Sequence, residues 1–255
     1  MSQSVERFSS RVEDYAKYRP GYPPEIVQFL QTECGLTSQS VIADIGSGTG
    51  KLAEIFLANG NSVIGVEPNS VMRAAAEEIL TDFPGFTSIN GTAEETTLGD
   101  SSVDFITAGQ AFHWFDPDRS KAELSRILKP GGWTALIWND RNLESTPFLK
   151  DYEALLLKYG TDYQEVRHDK AESLMADFFA PQLLTLKIFP NEQVFDFDGL
   201  RGRVRSSSYT PEPDHPNFES MIGALELIFE KHKKNGRVTF DYDTKVYYGH
   251  LPRTR

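Results

Sequence analysis

Three glycines on alternate positions, Gly46, Gly48 and Gly50, follow an acid, Asp44, at the end of the apolar run 41–45, and a second acid, Glu67, ends the next apolar run 23 residues beyond Asp44. Glycine tolerates positive φ and lets a ligand come against the backbone, so a glycine turn between a strand and a helix presents N–H groups and the helix's positive end. A carboxylate at the tip of the second strand, roughly 20 residues on, offers two acceptor oxygens to the two hydroxyls of a ribose. The ligand this spacing suits is a nucleoside. A phosphate-binding loop of the G-x-x-x-x-G-K-[ST] type would need Gly at 45 and Ser or Thr at 52, where the chain has Ile45 and Leu52. A dinucleotide fingerprint would place its third glycine at 51, where the chain has Lys51.

A second polar group, Gln110, His113 and Trp114, hangs from the end of the apolar run 103–108. Ligands of open parallel sheets bind outside the carboxyl ends of the strands, and histidine is the side chain whose ordinary pKa suits proton transfer near neutrality. The plain alternative is a hydrogen-bonded structural histidine. A third group opens the chain, an aromatic and basic stretch with Tyr15, Tyr18, Arg19, Tyr22 and the punctuating Pro20 and Pro23.

The elements that must position these residues alternate. Strands are expected at 41–45, 62–67, 86–90, 103–108 and 133–138, with helices from Pro24 to Gly35, from Lys51, from Asn69 or Ser70 through Ile79, and from Asp118 or Ser120 through Leu128. Five such units within 36–140 predict a parallel, right-handed, doubly wound α/β sheet. Beyond Asn139 the periodicity predicts helices around 148–159, 174–179 and 218–229, a bent strand or hairpin at 183–197, and an alternating strand at 238–248.

The run Asp44-x-Gly46-x-Gly48-x-Gly50 resembles the first motif of the class I S-adenosylmethionine-dependent methyltransferases, and the later segments extend the resemblance through all five units: Glu67 and Pro68 at the second strand end, Ala93-Glu94 after the third strand, the Gln110-Ala111-Phe112-His113-Trp114 run after the fourth, and Lys129-Pro130-Gly131-Gly132 before the fifth. The resemblance implies S-adenosyl-L-methionine as cofactor and a mostly parallel seven-stranded, Rossmann-like sheet, its last two strands antiparallel at about 183–197 and 237–248, with a helical cap over the strand C-terminal ends. It implies cofactor contacts from Asp44, Gly46, Ser47, Gly48, Gly50, Glu67, Pro68, Ala93, Glu94 and Gln110, with Met72 either at the adenine edge or in the core. Asp44 would brace the loop or reach the methionine ammonium. The opening matches the family's Tyr-Arg-Pro-x-Tyr-Pro arm, which gives Arg19 to the methionine carboxylate as a fork and Tyr15 and Tyr18 to the pocket. The match is similar to the branch of trans-aconitate and quinone-precursor methyltransferases.

The expected organisation is one domain: an arm and helix at 1–35, the cofactor-binding core at 36–140, and at 141–255 the last strands with helical insertions forming a substrate cap. Arg205, Ser206 and Tyr209 in that cap and Trp114 are substrate candidates, with His113 the candidate base. The expected activity is methyl transfer to a small-molecule carboxylate, hydroxyl, amine or carbon; an NAD-dependent oxidoreductase and a non-catalytic S-adenosylmethionine-binding protein are the alternatives. A formal net charge of −11 speaks against a nucleic acid partner held through phosphates. The basic clusters Arg201/Arg203/Arg205 and Lys231/Lys233/Lys234 read as solvated helix faces. One cysteine, Cys34, excludes an internal disulfide and a cysteine-rich metal site, and no apolar run approaches 18 residues, so no membrane and a cytoplasmic setting are expected.

Overall fold

Consecutive strand residues face opposite sides of a sheet, and here both sides are apolar: Ile42 packs with one layer of helices and Ala43 with the other. The computed structural model describes residues 12–161, 163 and 171–252. The opening residues before Val12 and the segment 164–170, which the sequence reading placed in the arm and the cap, lie outside the described residues.

Seven strands form one sheet: β1 (Val41–Ile45), β2 (Ser62–Val66), β3 (Phe86–Ile89), β4 (Val103–Gly109), β5 (Leu128–Arg141), β6 (Thr185–Phe195) and β7 (Val238–Gly249), in the order β3-β2-β1-β4-β5-β7-β6. β1 to β5 run parallel, and β7 is antiparallel to both β5 and β6. The order reverses between β1 and β4, which puts a crevice at their carboxyl ends.

Among the described residues the helices are α1 (Val12–Tyr18), α2 (Glu25–Cys34), α3 (Lys51–Ala58), α4 (Ser70–Ile79), α5 (Pro117–Ile127), α6 (Pro147–Tyr159), α7 (Ala171–Phe179), α8 (Phe197–Arg205) and α9 (Phe218–His232). α2 and α3 cover one face through Ile26, Leu30, Leu52 and Phe56, and α5 and α7 cover the other through Leu124, Ile127, Met175 and Phe179. Each such side chain, fully buried, contributes roughly 1.5–3 kcal/mol over exposure. A third cluster lies beyond the end of β5, where α6, α8 and α9 pack on Phe195 of β6 and on Val238, Phe240 and Tyr242 of β7. The register places it: Arg141, the last residue of β5, pairs with Tyr242.

Three expectations need correction. The turn at Lys129–Gly132 is absorbed into β5, which begins at Leu128 with a register shift between Val103 and Phe105, Gly131 carrying a φ of 79°. The helical insertions within 141–255 do not all go to the cap, because Met175, Phe178 and Phe179 of α7 bury themselves in the layer beneath the sheet. Asp116, not Asp118 or Ser120, caps α5: its side chain accepts from the Arg119 N–H, and Pro117 follows at the position where proline's missing N–H costs nothing. No helix among the described residues is long and apolar enough to cross a membrane.

Candidate functional site

The glycine loop is closed on itself more than its sequence suggests. Gly46 and Ser47 donate their N–H groups to the Val66 carbonyl at 2.8 and 3.3 Å, Gly50 donates to the Ser47 carbonyl at 2.9 Å, and Gly48 donates to Glu67 Oε2 at 3.0 Å. Four amides expected to face a ligand are therefore used inside the turn. The glycines serve different ends, although all three carry positive φ, of 66°, 55° and 81°. A Cβ at position 46 would stand 2.7 Å from Ala111 Cβ and one at position 50 would stand 2.5 Å from Leu80 Cδ1, so these two are glycines for packing. A Cβ at position 48 would meet nothing within 4 Å. Gly48 fronts open space, beside Glu67.

Two acids belong to this end of the sheet, Glu67 against Gly48 and Asp44 near enough to feel the Glu67 charge. Asp44 is 1% exposed; its Oδ1 accepts from the Thr107 hydroxyl at 3.0 Å, across the β1–β4 pair that sets the two residues in register, and its Oδ2 is buried without a hydrogen-bond partner. Burial pushes the Asp44 carboxyl up to about 7 against the pull of the Thr107 hydrogen bond, and the Glu67 charge adds to the rise. Glu67 is fixed by two backbone donors, Gly48 on Oε2 and Asn69 on Oε1 at 2.9 Å. Burial raises its pKa and those two N–H groups hold it back. Each Glu67 oxygen keeps a lone pair, so the carboxylate can brace the loop and still accept from a diol. A ribose-bearing ammonium compound matches this donor set: open room at Gly48, a two-oxygen acceptor at Glu67, and an unsatisfied buried acceptor at Asp44.

The other expected cofactor residues ring the same end of the sheet. Pro68 is half-buried and Met72 and Ala93 are buried, Ala93 within the apolar cluster beneath the sheet. Glu94 Oε1 accepts from the Asp116 N–H at 2.8 Å, tying the loop after β3 to the start of α5. Gln110 holds a φ of 54°, unusual for a residue with a side chain, and is kept there by its N–H to the Ile137 carbonyl and by its Oε1, which accepts from the Asn139 N–H at 2.6 Å. His113 and Trp114 lie exposed on the 3₁₀ turn Phe112–Trp114, their rings 4.5 Å apart, with Trp138 edge-on to His113 at 5.4 Å.

Tyr22 was not among the expected contacts. Its hydroxyl lies where a Cβ on Gly109 would be, 2.4 Å away, and burial, with Tyr15 and Asp44 nearby, drives its pKa well above the ordinary value. The Tyr-Pro step at 22–23 is the signal that marks it.

The arm residues belong to the cap. Arg19 Nε and Nη2 donate to the Ser206 carbonyl, just past the end of α8, at 3.3 and 3.0 Å, with the guanidinium over the Tyr15 ring at 5.3 Å. The Tyr18 ring lies against Gly202, where a Cβ would be 2.1 Å from it. Arg205 is exposed and pairs with Asp14 of the arm at 3.3 Å. Ser206 is wholly buried and gives its hydroxyl to the Arg203 carbonyl at 2.7 Å. Tyr209 is half-buried and surrounded: burial pushes its phenol up, and Arg203, Arg19 and Arg141 outweigh that and hold it below the ordinary value.

Sequence reasoning missed Arg141, Tyr152 and Arg203. Arg203 is 4% exposed, not on a solvated face, while Arg201 and Arg205 are exposed as expected. The signal was present, because Leu200, Arg203 and Val204 fall on one helical face and both apolar members are buried. Among the described residues no group of three or more His, Cys, Asp or Glu could hold a metal ion.

A sheet in the order β3-β2-β1-β4-β5-β7-β6, with β7 turned antiparallel between β5 and β6, differs from the six-stranded dinucleotide sheet and, with the glycine loop and paired acids, defines the class I S-adenosylmethionine-dependent methyltransferases. A methyltransferase-domain family model matches residues 43–136. A methyltransferase-like protein of Schizosaccharomyces pombe, itself uncharacterized, is 31% identical over 248 residues, covering 95% of this chain and 94% of that one. An uncharacterized methyltransferase of Mycobacterium tuberculosis is 39% identical over 135 residues, and this match spans about half the length of either chain, 53% of each. A solved structure from Anaeromyxobacter dehalogenans, a candidate type II methyltransferase, superposes with a TM-score of 0.67 at 19% identity over 93% of this chain and 100% of that one, a likeness of fold. The chain belongs to the class I S-adenosylmethionine-dependent methyltransferase family. These relatives speak for the class and name no branch within it.

Proposed function

We propose that the protein transfers a methyl group from S-adenosyl-L-methionine to a small-molecule acceptor. The observation that carries this is the open face of Gly48 beside the doubly fixed Glu67, with the unpartnered, buried Asp44 Oδ2 at the same end of the sheet. In this reading Glu67 accepts the ribose hydroxyls, Asp44 receives the methionine ammonium, and Ala93, Glu94, Pro68 and Met72 border the adenine. The chemistry the cofactor supplies when bound is an activated sulfonium methyl, open to in-line attack by an oxygen, nitrogen or carbon nucleophile. The chain's part is alignment and exclusion of water, which suits walls made by Tyr22, the arm and the cap. For a hydroxyl or amine acceptor this reading gives the proton to His113, on the turn after β4; a carboxylate would need no base. A small acceptor, a soluble cytoplasmic setting and no nucleic acid partner belong to the same reading, on the acidic composition and the single buried Cys34.

Calorimetric titration with S-adenosylhomocysteine and separately with NAD, repeated on Glu67→Ala, tests it. Micromolar binding of the homocysteine nucleoside that weakens tenfold or more in the variant, about 1.4 kcal/mol, is expected. Binding of NAD alone would overturn the proposal.

A further inference from the structure

Three guanidiniums meet inside the cap. Arg19 comes from the arm, Arg141 from the end of β5 and Arg203 from α8, the last 4% exposed and the Arg141 side chain 9% exposed. They stand among aromatic rings: Arg141 lies over the Tyr152 ring at 4.9 Å and donates to the Tyr163 hydroxyl at 2.8 Å, and Arg203 donates to the Tyr242 hydroxyl at 3.4 Å and the Ser207 hydroxyl at 3.0 Å. Among the described residues one carboxylate is hydrogen-bonded to them, Glu153, whose Oε2 accepts from Arg141 Nη2 at 2.6 Å and from the Tyr163 hydroxyl at 2.6 Å.

Among the described residues three cations stand against that one anion, in surroundings where an unmatched charge is strongly unfavourable. The ring and carbonyl contacts stabilise the guanidiniums without neutralising them. Two donors are also left over, since Arg141 Nη1 and the Tyr152 hydroxyl are both buried without a hydrogen-bond partner. Two spare donors among three guanidiniums match the two oxygens of a carboxylate, and the planar guanidinium is the side chain best shaped to hold one. The cluster is joined to the cofactor loop through the arm, where Arg19 lies over Tyr15 and Tyr22 reaches Gly109 with Asp44 nearby.

We infer that the methyl acceptor is a carboxylate-bearing small molecule whose carboxylate is held in the cap by Arg141 Nη1, Arg203 and the Tyr152 hydroxyl. The inference names the substrate class of the methyltransferase site and so rests on that reading.

The test is thermal unfolding of the full chain, wild type, Arg141→Met and Arg203→Met, with sodium acetate, acetamide or inorganic phosphate at matched ionic strength. The wild type is expected to gain about 2 °C or more from acetate over acetamide, and both variants to lose that gain; without acetate Arg203→Met should unfold no lower than the wild type, because methionine of similar length removes a charge with no carboxylate hydrogen-bonded to it among the described residues, whereas Arg141→Met should unfold lower, because it leaves Glu153 buried without its partner. Equal responses to acetate and acetamide would overturn the inference. So would an acetate gain retained in either variant, a larger response to phosphate than to acetate, or an Arg203→Met variant that melts well below the wild type in every buffer, which would make that arginine structural. The titration of the wild type with S-adenosylhomocysteine is read separately: its failure beside an intact acetate response would fault the methyltransferase reading, and the reverse would fault the carboxylate.

Discussion

Asp44→Asn separates what this residue does for the fold from what it does for a ligand. The carboxyl's pKa rises from an ordinary 3.8 to about 7 in the folded chain, chiefly through burial. A raised folded pKa means that the native state binds the proton more tightly than the unfolded state does. The stabilisation is therefore fully present below about pH 4 and is lost as pH rises through about 7. At 1.36 kcal/mol per pH unit, the wild type should lose about 3 kcal/mol relative to Asp44→Asn between pH 5 and pH 8. The asparagine keeps the acceptor for Thr107 and cannot ionise. Urea unfolding of both proteins at half-unit steps across that range gives the difference directly, with the other carboxylates cancelling. Difference curves flat to within about 0.5 kcal/mol would refute the reasoning, for then Asp44 is ionised at no penalty in the fold. The same geometry fixes a sign for binding. If the ammonium of S-adenosylhomocysteine meets Asp44 Oδ2, the complex favours the ionised form, so affinity should rise by up to about tenfold per pH unit between pH 5 and pH 7, level off above, and lose that dependence in Asp44→Asn.

Gly48→Ala is expected to unfold within about 1 kcal/mol of the wild type, since the added methyl meets only a positive-φ penalty, yet to bind S-adenosylhomocysteine at least about tenfold more weakly by calorimetry. Gly50→Ala should do the opposite first: its methyl meets Leu80 at 2.5 Å, and a loss of about 2–4 kcal/mol in urea is expected. Glu123→Gln should lower stability at neutral pH by about 1–3 kcal/mol, because Arg126 and the Thr96 hydroxyl and N–H hold Glu123 down to about 2; that stabilisation is present above its ordinary pKa of 4.5 and fades as pH falls toward 2, so the two proteins should converge in acid unfolding.

The core of the fold was legible because a strand buried on both faces and a helix with one buried stripe leave patterns that sequence preserves: the bounds of β1, β2 and β4 fall within a residue or so of where the apolar runs end. Gly46, Gly48, Gly50, Asp44 and Glu67 were legible as a group, but not what each does. That Gly48 faces room while Gly46 and Gly50 face Ala111 and Leu80 depends on contacts between residues 30 to 65 positions apart, which no local pattern carries. The cap was read least well. Arg203 was read as part of a solvated helix face because arginine is usually surface charge, and Arg141 drew no reading; the hydroxyl that Arg203 meets, Tyr242, arrives from β7, 39 positions on. Arg19 went to Ser206 for the same reason: a pairing across 187 positions is invisible in sequence.

Beside its Arg19 and Asp14 contacts, the arm is fastened through its main chain. The Gly21 carbonyl accepts from both Asn139 and Asn191 at 3.0 Å, and the Tyr18 carbonyl accepts from Gln193 at 3.1 Å. A carbonyl is present whatever side chain a residue carries, so the rings that the arm contributes, Tyr15, Tyr18 and Tyr22, can be exchanged by mutation while the arm stays docked. The three amide side chains on β5 and β6 have no such freedom, since each loses its partner if shortened. Such a division of labour leaves these rings open to exchange one side chain at a time, without the arm first being detached and reattached.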